Sequence, residues 1–400
     1  MSWPPVDEAT LNAVYKVLSS GRLSVSWRAD CGSESVERTL AREFATVYEC
    51  PTAVSVDHGT SGLVVALESL GVGPGDEVIV PSVTWVAPAT AVLRAGAVPI
   101  LADVDPITGC ISAETVSAVV SHRTVGVIVV HLTGYVADMG AILSFCGKAG
   151  LWCVEDCSQA HLCEWNHKKV GTLGDIGVLS LGAAKQIPAG EGGMVLSRHS
   201  EFQTTLEQLR ADSRRSGAES IHAVNHCLIE DGSTYGTNYC MSELSAAVAL
   251  DQLGKYREVS GLVQGRMEKL AESFMSSSVL AGMKRSHWET NQVCYEYPLR
   301  LLRTDIYDAE TMIRRLRAVN IDAYKVRNPL FDSDLFSPNN HPQFRSRAGL
   351  CMENWTSQYP GAVAYSQGTV LFHHSVFQLD SCSYERLVER FDCLISELSR

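Results

Sequence analysis

Between Thr52 and Ser197, short runs of β-branched and apolar residues alternate with amphipathic helical patterns, and this alternation limits the fold more than any other feature of the chain. Thr52–Asp57 precedes Leu63, Leu67 and Leu70, an i, i+4, i+7 apolar stripe. Glu77–Pro81 follows the turn Gly73-Pro74-Gly75-Asp76. Val98–Ala102, Val125–His131 and Leu151–Glu155 are nearly apolar throughout, as strands covered on both faces are. Helical patterns near Ser112–Ser121 and Asp138–Gly150 separate them, and Ile176–Leu181 and Gly193–Leu196 read as two further strands. Repeated strand–helix–strand units predict an α/β fold, a large domain whose mostly parallel sheet is flanked by helices.

Downstream the pattern changes. A long helix is expected from Ser242 toward Tyr256, Asn291–Leu301 alternates as an exposed-face strand, and Met312, Leu316 and Val319 mark a helix. Leu387, Phe391, Leu394 and Leu398 lie on one helical face. These predict a smaller C-terminal α+β domain over 263–400, packed on a large domain over 1–262. With 46% apolar and 20% charged residues the chain can build a packed core, and disorder is disfavoured. A formal net charge of −12 argues against nucleic acid as a partner, which would need a basic face. Neither a secretory leader nor an apolar run long enough to cross a membrane is visible, and 13 irregularly spaced cysteines do not read as a disulfide framework. The expectation is a cytoplasmic protein with buried reduced thiols.

Three segments carry candidate chemistry. Asp57-His58-Gly59-Thr60-Ser61-Gly62 lies between a strand and a helix, where free backbone N–H groups and the helix dipole attract a phosphate, although an ordinary helix cap would look the same. Asp156 closes an apolar strand, at the sheet edge where ligands of α/β proteins collect; it too could be a cap. Lys185 sits among small and apolar residues between a strand and the turn Gly190-Glu191-Gly192-Gly193, where burial would lower its pKa and free the amine for addition to a carbonyl. A surface loop lysine is the bland alternative. Two apparent motifs carry nothing. The glycines around Gly147-Lys148-Ala149 have the wrong spacing for a phosphate loop, and Cys153, Cys157, Cys163 and His161 match no zinc pattern, so no metal is expected. Taken together, a lysine for an aldehyde, an acid for a pyridine nitrogen and a helix N-terminus for a phosphate fit pyridoxal 5'-phosphate.

Gly71-Val72-Gly73-Pro74-Gly75-Asp76-Glu77, Thr84-Trp85-Val86-Ala87, Glu155-Asp156-Cys157-Ser158-Gln159-Ala160-His161, Ser180 to Lys185 and Gly236-Thr237-Asn238-Tyr239 together resemble the DegT/StrS-type sugar and cyclitol aminotransferases, which are fold-type I pyridoxal phosphate enzymes. The resemblance runs through nearly the whole chain. Within the family, Leu209 to Arg214, Gly236 to Glu243 and Phe372-His373-His374 are similar to the glutamine-dependent scyllo-inosose and 2-deoxy-scyllo-inosose aminotransferases of aminoglycoside biosynthesis.

The resemblance implies that Lys185 holds the cofactor's aldehyde and Asp156 its pyridinium nitrogen. It implies that Trp85 stacks on the ring, that Gln159 lies beside the phenolic oxygen, and that Gly59, Thr60, Ser61 and Ser180 hold the phosphate. Asn238 would reach that phosphate from a neighbouring subunit, which makes the enzyme a homodimer with shared active sites. The implied reaction moves an amino group from glutamine or glutamate to a keto-cyclitol or keto-sugar. Alternatives are a dehydratase of the 3-amino-5-hydroxybenzoate synthase type and a pyridoxal phosphate-binding protein without turnover. His373 and His374 line the substrate pocket on one reading and form a core or solvated pair on the other. Arg327 is a candidate for the donor carboxylate; Arg214-Arg215 reads as a solvated charge pair. Three departures stand out: Leu162 replaces the family's usual glycine, Gly182-Ala183-Ala184 is unusually small before the lysine, and Tyr324-Lys325-Val326-Arg327-Asn328-Pro329 lacks the subgroup's usual histidine and second proline.

Overall fold

The computed structural model describes residues 3–25, 35–217, 228–337 and 355–398. Apolar strand sequences pair into a seven-stranded sheet in the order Thr52–Val56, Gly193–Ser197, Ile176–Ser180, Trp152–Asp156, Thr124–Val130, Glu77–Pro81, Val98–Ala102. Gly193–Ser197 runs antiparallel to both neighbours, and the other pairs are parallel. The reversal has a local cause: the chain returns from Ser180 through the loop 181–192, without the helical crossover that a parallel neighbour requires. Helices Val36–Tyr48, Gly59–Ser69, Ala87–Arg94 and Met139–Ala149 flank the sheet, each through an apolar face. Met139–Ala149 starts on the Asp138 side chain, which accepts the Ala141 N–H at 3.2 Å, and stops at Gly150 in the left-handed region, as its sequence signals require. Where Trp152 packs over its neighbour strand at Gly126, a Cβ would come within 2.2 Å of the indole, so only glycine admits that register.

The smaller sheet is antiparallel throughout, in the order Leu280–Ala281, Glu296–Leu301, Thr369–His373, Ala323–Lys325. Helix Ser381–Leu398 covers it with Leu387, Phe391, Leu394 and Leu398, the four residues of the expected face, and helix Ala309–Ala318 buries Met312 and Leu316. The helix capped by Ser242 runs over Glu243–Ser273, well past Tyr256. Gly254, Gly261 and Gly265, which interrupt its pattern in the sequence, all face solvent, while Val263, Met267 and Leu270 continue the buried stripe. The expected boundary at 262/263 therefore falls inside one continuous helix.

The segment Asn291–Leu301 differs from its expected form. It divides into Glu289–Asn291, which pairs with Glu164–Trp165 of the large unit, and Glu296–Leu301, an interior strand buried at Tyr297, Pro298 and Leu299. Alternation misled here because Tyr295 and Glu296, the polar start of that strand, turn toward a cleft instead of bulk water. Among the described residues no helix is long and apolar enough to cross a membrane. Ten described cysteines are free thiols, eight of them away from exposed surface; Cys31, Cys227 and Cys351 lie outside the described residues.

Candidate active site

The parallel strands release their next residues at one edge of the sheet. Val56 leads to Gly59 and Thr60, Pro81 to Trp85, Val130 to Thr133, Asp156 to Gln159, and Ser180 to Lys185. All of these line a cleft of about 600 Å³, which Tyr295, Glu296, Tyr324 and Arg327 of the smaller unit close.

Lys185 is half-buried, and its Nζ lies 4.0 Å from the centre of the Tyr295 ring. Burial pulls its ammonium down to about 8, against the opposing attraction of the Asp156 and Glu296 carboxylates. Between about 8 and the ordinary 10.5, an unfolded chain holds a proton on this amine that the folded protein does not, so stability gains with rising pH across that window. The neutral, nucleophilic amine accumulates over the same range. In cofactor-free protein, acylation of Lys185 followed by peptide mapping is expected to reach half its limiting rate near pH 8. A half-point at the ordinary lysine value would refute the burial of the charge.

Asp156 is 5% exposed. Burial raises its carboxyl, while hydrogen bonding from Ser158 and the charges of Lys185 and His131 pull it back; one oxygen accepts the Ser158 N–H at 3.0 Å. Gln159 is oriented by its carbonyl oxygen, which accepts the Thr133 N–H at 2.8 Å, and this leaves the NH₂ end to meet an acceptor. Thr133 takes a left-handed φ of 57° to make that bond, a strain of about 1 kcal/mol for a β-branched residue. Nothing in its sequence announces this role.

The helix Gly59–Ser69 begins at His58 without any side-chain cap and with no acidic residue in its first turn. Its opening N–H groups thus keep their capacity for an anion. A Cβ at Gly59 would stand 2.8 Å from Ser180 Cβ and 3.4 Å from Ser158 Oγ, so this glycine lets the helix end close against two hydroxyl-bearing residues. The expectation that this segment holds a phosphate rests on that uncapped turn. Ser61 lies buried in the same turn without lining the cleft. Trp85 is 42% exposed, and the Arg327 guanidinium sits 4.2 Å over its ring.

Besides Ser61, three of the expected residues stand outside this cleft. His373 and His374 both turn Nε2 toward the carbonyl oxygen of Ala184, at 3.3 and 3.4 Å. The pocket-lining alternative is thus not what their side chains do: they grip the main chain one residue before Lys185. The Ser375 N–H donates to His373 Nδ1 at 3.2 Å, which places that ring's proton on Nε2. Burial holds both imidazoles below their ordinary range, so they remain neutral donors. Trp3 Nε1 donates to the neighbouring Ala183 carbonyl at 3.0 Å, and its ring stacks edge-on to His374 at 4.5 Å. The small side chains of Gly182-Ala183-Ala184 leave room for this clamp. Asn238 is exposed, bridged to Ala211 and away from the cleft. Arg214 and Arg215 pair with Asp212 at 3.2 Å and Asp231 at 2.6 Å.

Leu162, the replacement for a glycine, is buried with a φ of 61°. Its N–H donates to Tyr48 Oη at 3.1 Å and its carbonyl accepts from Asn291 Nδ2 at 2.8 Å, and these bonds hold the left-handed turn in place. Among the described residues His131, Glu155 and Cys157 cluster closely enough to suggest a metal. Their ligand atoms are spoken for. Glu155 accepts the Leu173 and Gly174 N–H groups, each at 2.8 Å, and meets His131 Nε2 at 3.2 Å, while burial keeps the Cys157 thiol well above its ordinary value. The trio reads as a hydrogen-bonded knot beneath Asp156.

A half-buried amine, a buried carboxylate and an uncapped helix end at the carboxyl edge of an α/β sheet define a lysine-dependent enzyme of the aminotransferase fold. The chain belongs to the DegT/DnrJ/EryC1/StrS aminotransferase family, whose model matches residues 6–345. It is 32% identical over 403 residues to an L-glutamine:2-deoxy-scyllo-inosose aminotransferase of Streptomyces kanamyceticus, covering 97% of this chain and 92% of that one. It is 33% identical to the L-glutamine:scyllo-inosose aminotransferase of Streptomyces griseus, covering 94% and 89%. Among solved structures it resembles 3-amino-5-hydroxybenzoic acid synthase, with 25% identity and a TM-score of 0.85 over 99% of this chain and 98% of that one. It also resembles the aminotransferase TlmJ from Streptoalloteichus hindustanus, with 26% identity and a TM-score of 0.80 over 100% and 99%.

Proposed function

We propose that this aminotransferase uses pyridoxal 5'-phosphate to move the amino group of glutamine or glutamate onto a keto-cyclitol, in the manner of the aminotransferases that share its sequence. The observation that carries the reading is the enclosure of the Lys185 amine, at a pKa of about 8, in one cleft with Asp156 and the uncapped turn at Gly59. The residues fit the cofactor. Gly59, Thr60, Ser61 and Ser180 would hold its phosphate, Asp156 would keep its ring nitrogen protonated, Gln159 would donate to its phenolic oxygen, and Trp85 would cover the ring face. When bound, the cofactor supplies an aldehyde and an electron-accepting ring.

The chain's own work is positional and acid–base. Lys185 would offer its amine to the cofactor's aldehyde and, as a near-neutral base, would hold the proton taken from the donor's α-carbon. Tyr295, against its Nζ, limits water at that amine. The clamp of Trp3, His373 and His374 fixes the main chain from which Lys185 swings. Asn238, exposed and turned from its own cleft, supports a homodimer in which it completes the partner's phosphate site. Free buried thiols support a cytoplasmic enzyme.

A donor–acceptor screen of purified holoenzyme, followed through the cofactor's visible band, tests the reading. Glutamine or glutamate should bleach the band, and a keto-cyclitol should restore it. Water loss from an acceptor without any amino donor would instead indicate the dehydratase chemistry of 3-amino-5-hydroxybenzoic acid synthase.

A further inference from the structure

The wall of the cleft opposite the helix end carries two groups of opposite charge that the proposed chemistry leaves unused. Arg327 lines the cleft, stacks on Trp85 at 4.2 Å and makes no ion pair among the described residues. Glu296 lines the same cleft and accepts a hydrogen bond from Tyr324 Oη at 3.1 Å. That bond uses one acceptor site and fixes the carboxylate, whose remaining lone pairs can only accept. Burial raises the Glu296 carboxyl, against the smaller opposing pull of the Tyr324 hydrogen bond and of the charges of Lys185 and Arg327.

An α-amino acid entering this space presents one carboxylate, which Arg327 matches in charge and in its two-pronged geometry. Its far end then meets a fixed anion. A primary amide offers N–H donors to that anion, whereas a second carboxylate offers only repulsion and the loss of its own solvation. We infer that Glu296, held by Tyr324, makes the cleft select an amino donor with a side-chain amide over one with a side-chain carboxylate, while Arg327 binds the α-carboxylate of either. This rests on the aminotransferase reading above and adds the basis of donor choice.

Glu296→Gln keeps the shape and removes the charge. In single-turnover bleaching of the holoenzyme, the ratio of glutamine to glutamate kcat/KM is expected to fall about tenfold, mainly through gain with glutamate. Arg327→Gln should weaken both donors alike and leave the ratio in place. Calorimetric titration of Lys185→Ala protein, with and without Glu296→Gln, reads the same preference without turnover. An unchanged ratio in Glu296→Gln, or an effect confined to the acceptor's KM, would overturn the inference while leaving the aminotransferase reading intact. Failure of the unaltered holoenzyme to respond to either amino acid would overturn both.

Discussion

Lys185→Ala is expected to lower turnover by at least about 10⁴-fold and to remove the visible band of the lysine-bound cofactor. Both effects follow from one atom. Nζ lies over Tyr295 at 4.0 Å and shares the cleft with Asp156, and no other lysine but Lys325 lines that space. Lys325 belongs to the smaller sheet and is exposed to water. The variant should fold normally, because the Lys185 amine makes no hydrogen bond or ion pair among the described residues and rests on the Tyr295 ring. Steady-state assays with circular dichroism as a folding control check the prediction. Normal turnover without an added amine would show that the chemistry has been misassigned.

The largest effect on stability is expected at Arg210, which is fully buried. Its Nη1 meets Glu37 Oε1 at 2.9 Å and donates to the Ser55 carbonyl at 3.2 Å, while the Ser55 hydroxyl bonds the same Glu37 oxygen. Arg210→Met should cost about 3–5 kcal/mol, because Glu37 would then be a buried charge with only a hydroxyl for company. Urea unfolding with unchanged slope would measure it. The double variant Glu37→Gln, Arg210→Met should recover most of the loss, since neither charge then remains. The pair also ties helix Val36–Tyr48 to the strand that delivers Gly59, and the Arg210 carbonyl accepts the Tyr239 N–H at 2.8 Å, next to Asn238. A destabilisation below about 1 kcal/mol would mean that Glu37 is rescued by protonation or water.

The sequence was most informative where local rules govern. Apolar runs such as Val98–Ala102 can only be buried strands, and Asp138 and Gly150 bracket a helix through their own capping geometry. The Gly59 turn, Asp156 and Lys185 were legible for a similar reason: each sits at or a few residues beyond the end of a strand that must lie at one edge of a parallel sheet. Tyr295, Glu296 and Tyr324 were not legible, because they come from antiparallel strands whose alternation looks the same whether the polar side meets water or a cleft. The histidine pair was ambiguous on the same ground. Only its contact with Ala184 shows that these imidazoles hold main chain.

Pattern and spacing along the chain were thus enough to show the α/β architecture, its succession of buried strands and the three segments that meet in the cleft. Packing between distant segments decided the rest. Strand registers, the antiparallel seat of Gly193–Ser197, the left-handed backbone tolerated at Thr133 and Leu162, and the charged wall made by Glu296 and Arg327 all depend on contacts between residues far apart in sequence. Their energies arise from exclusion of water between surfaces that meet only once the chain has folded.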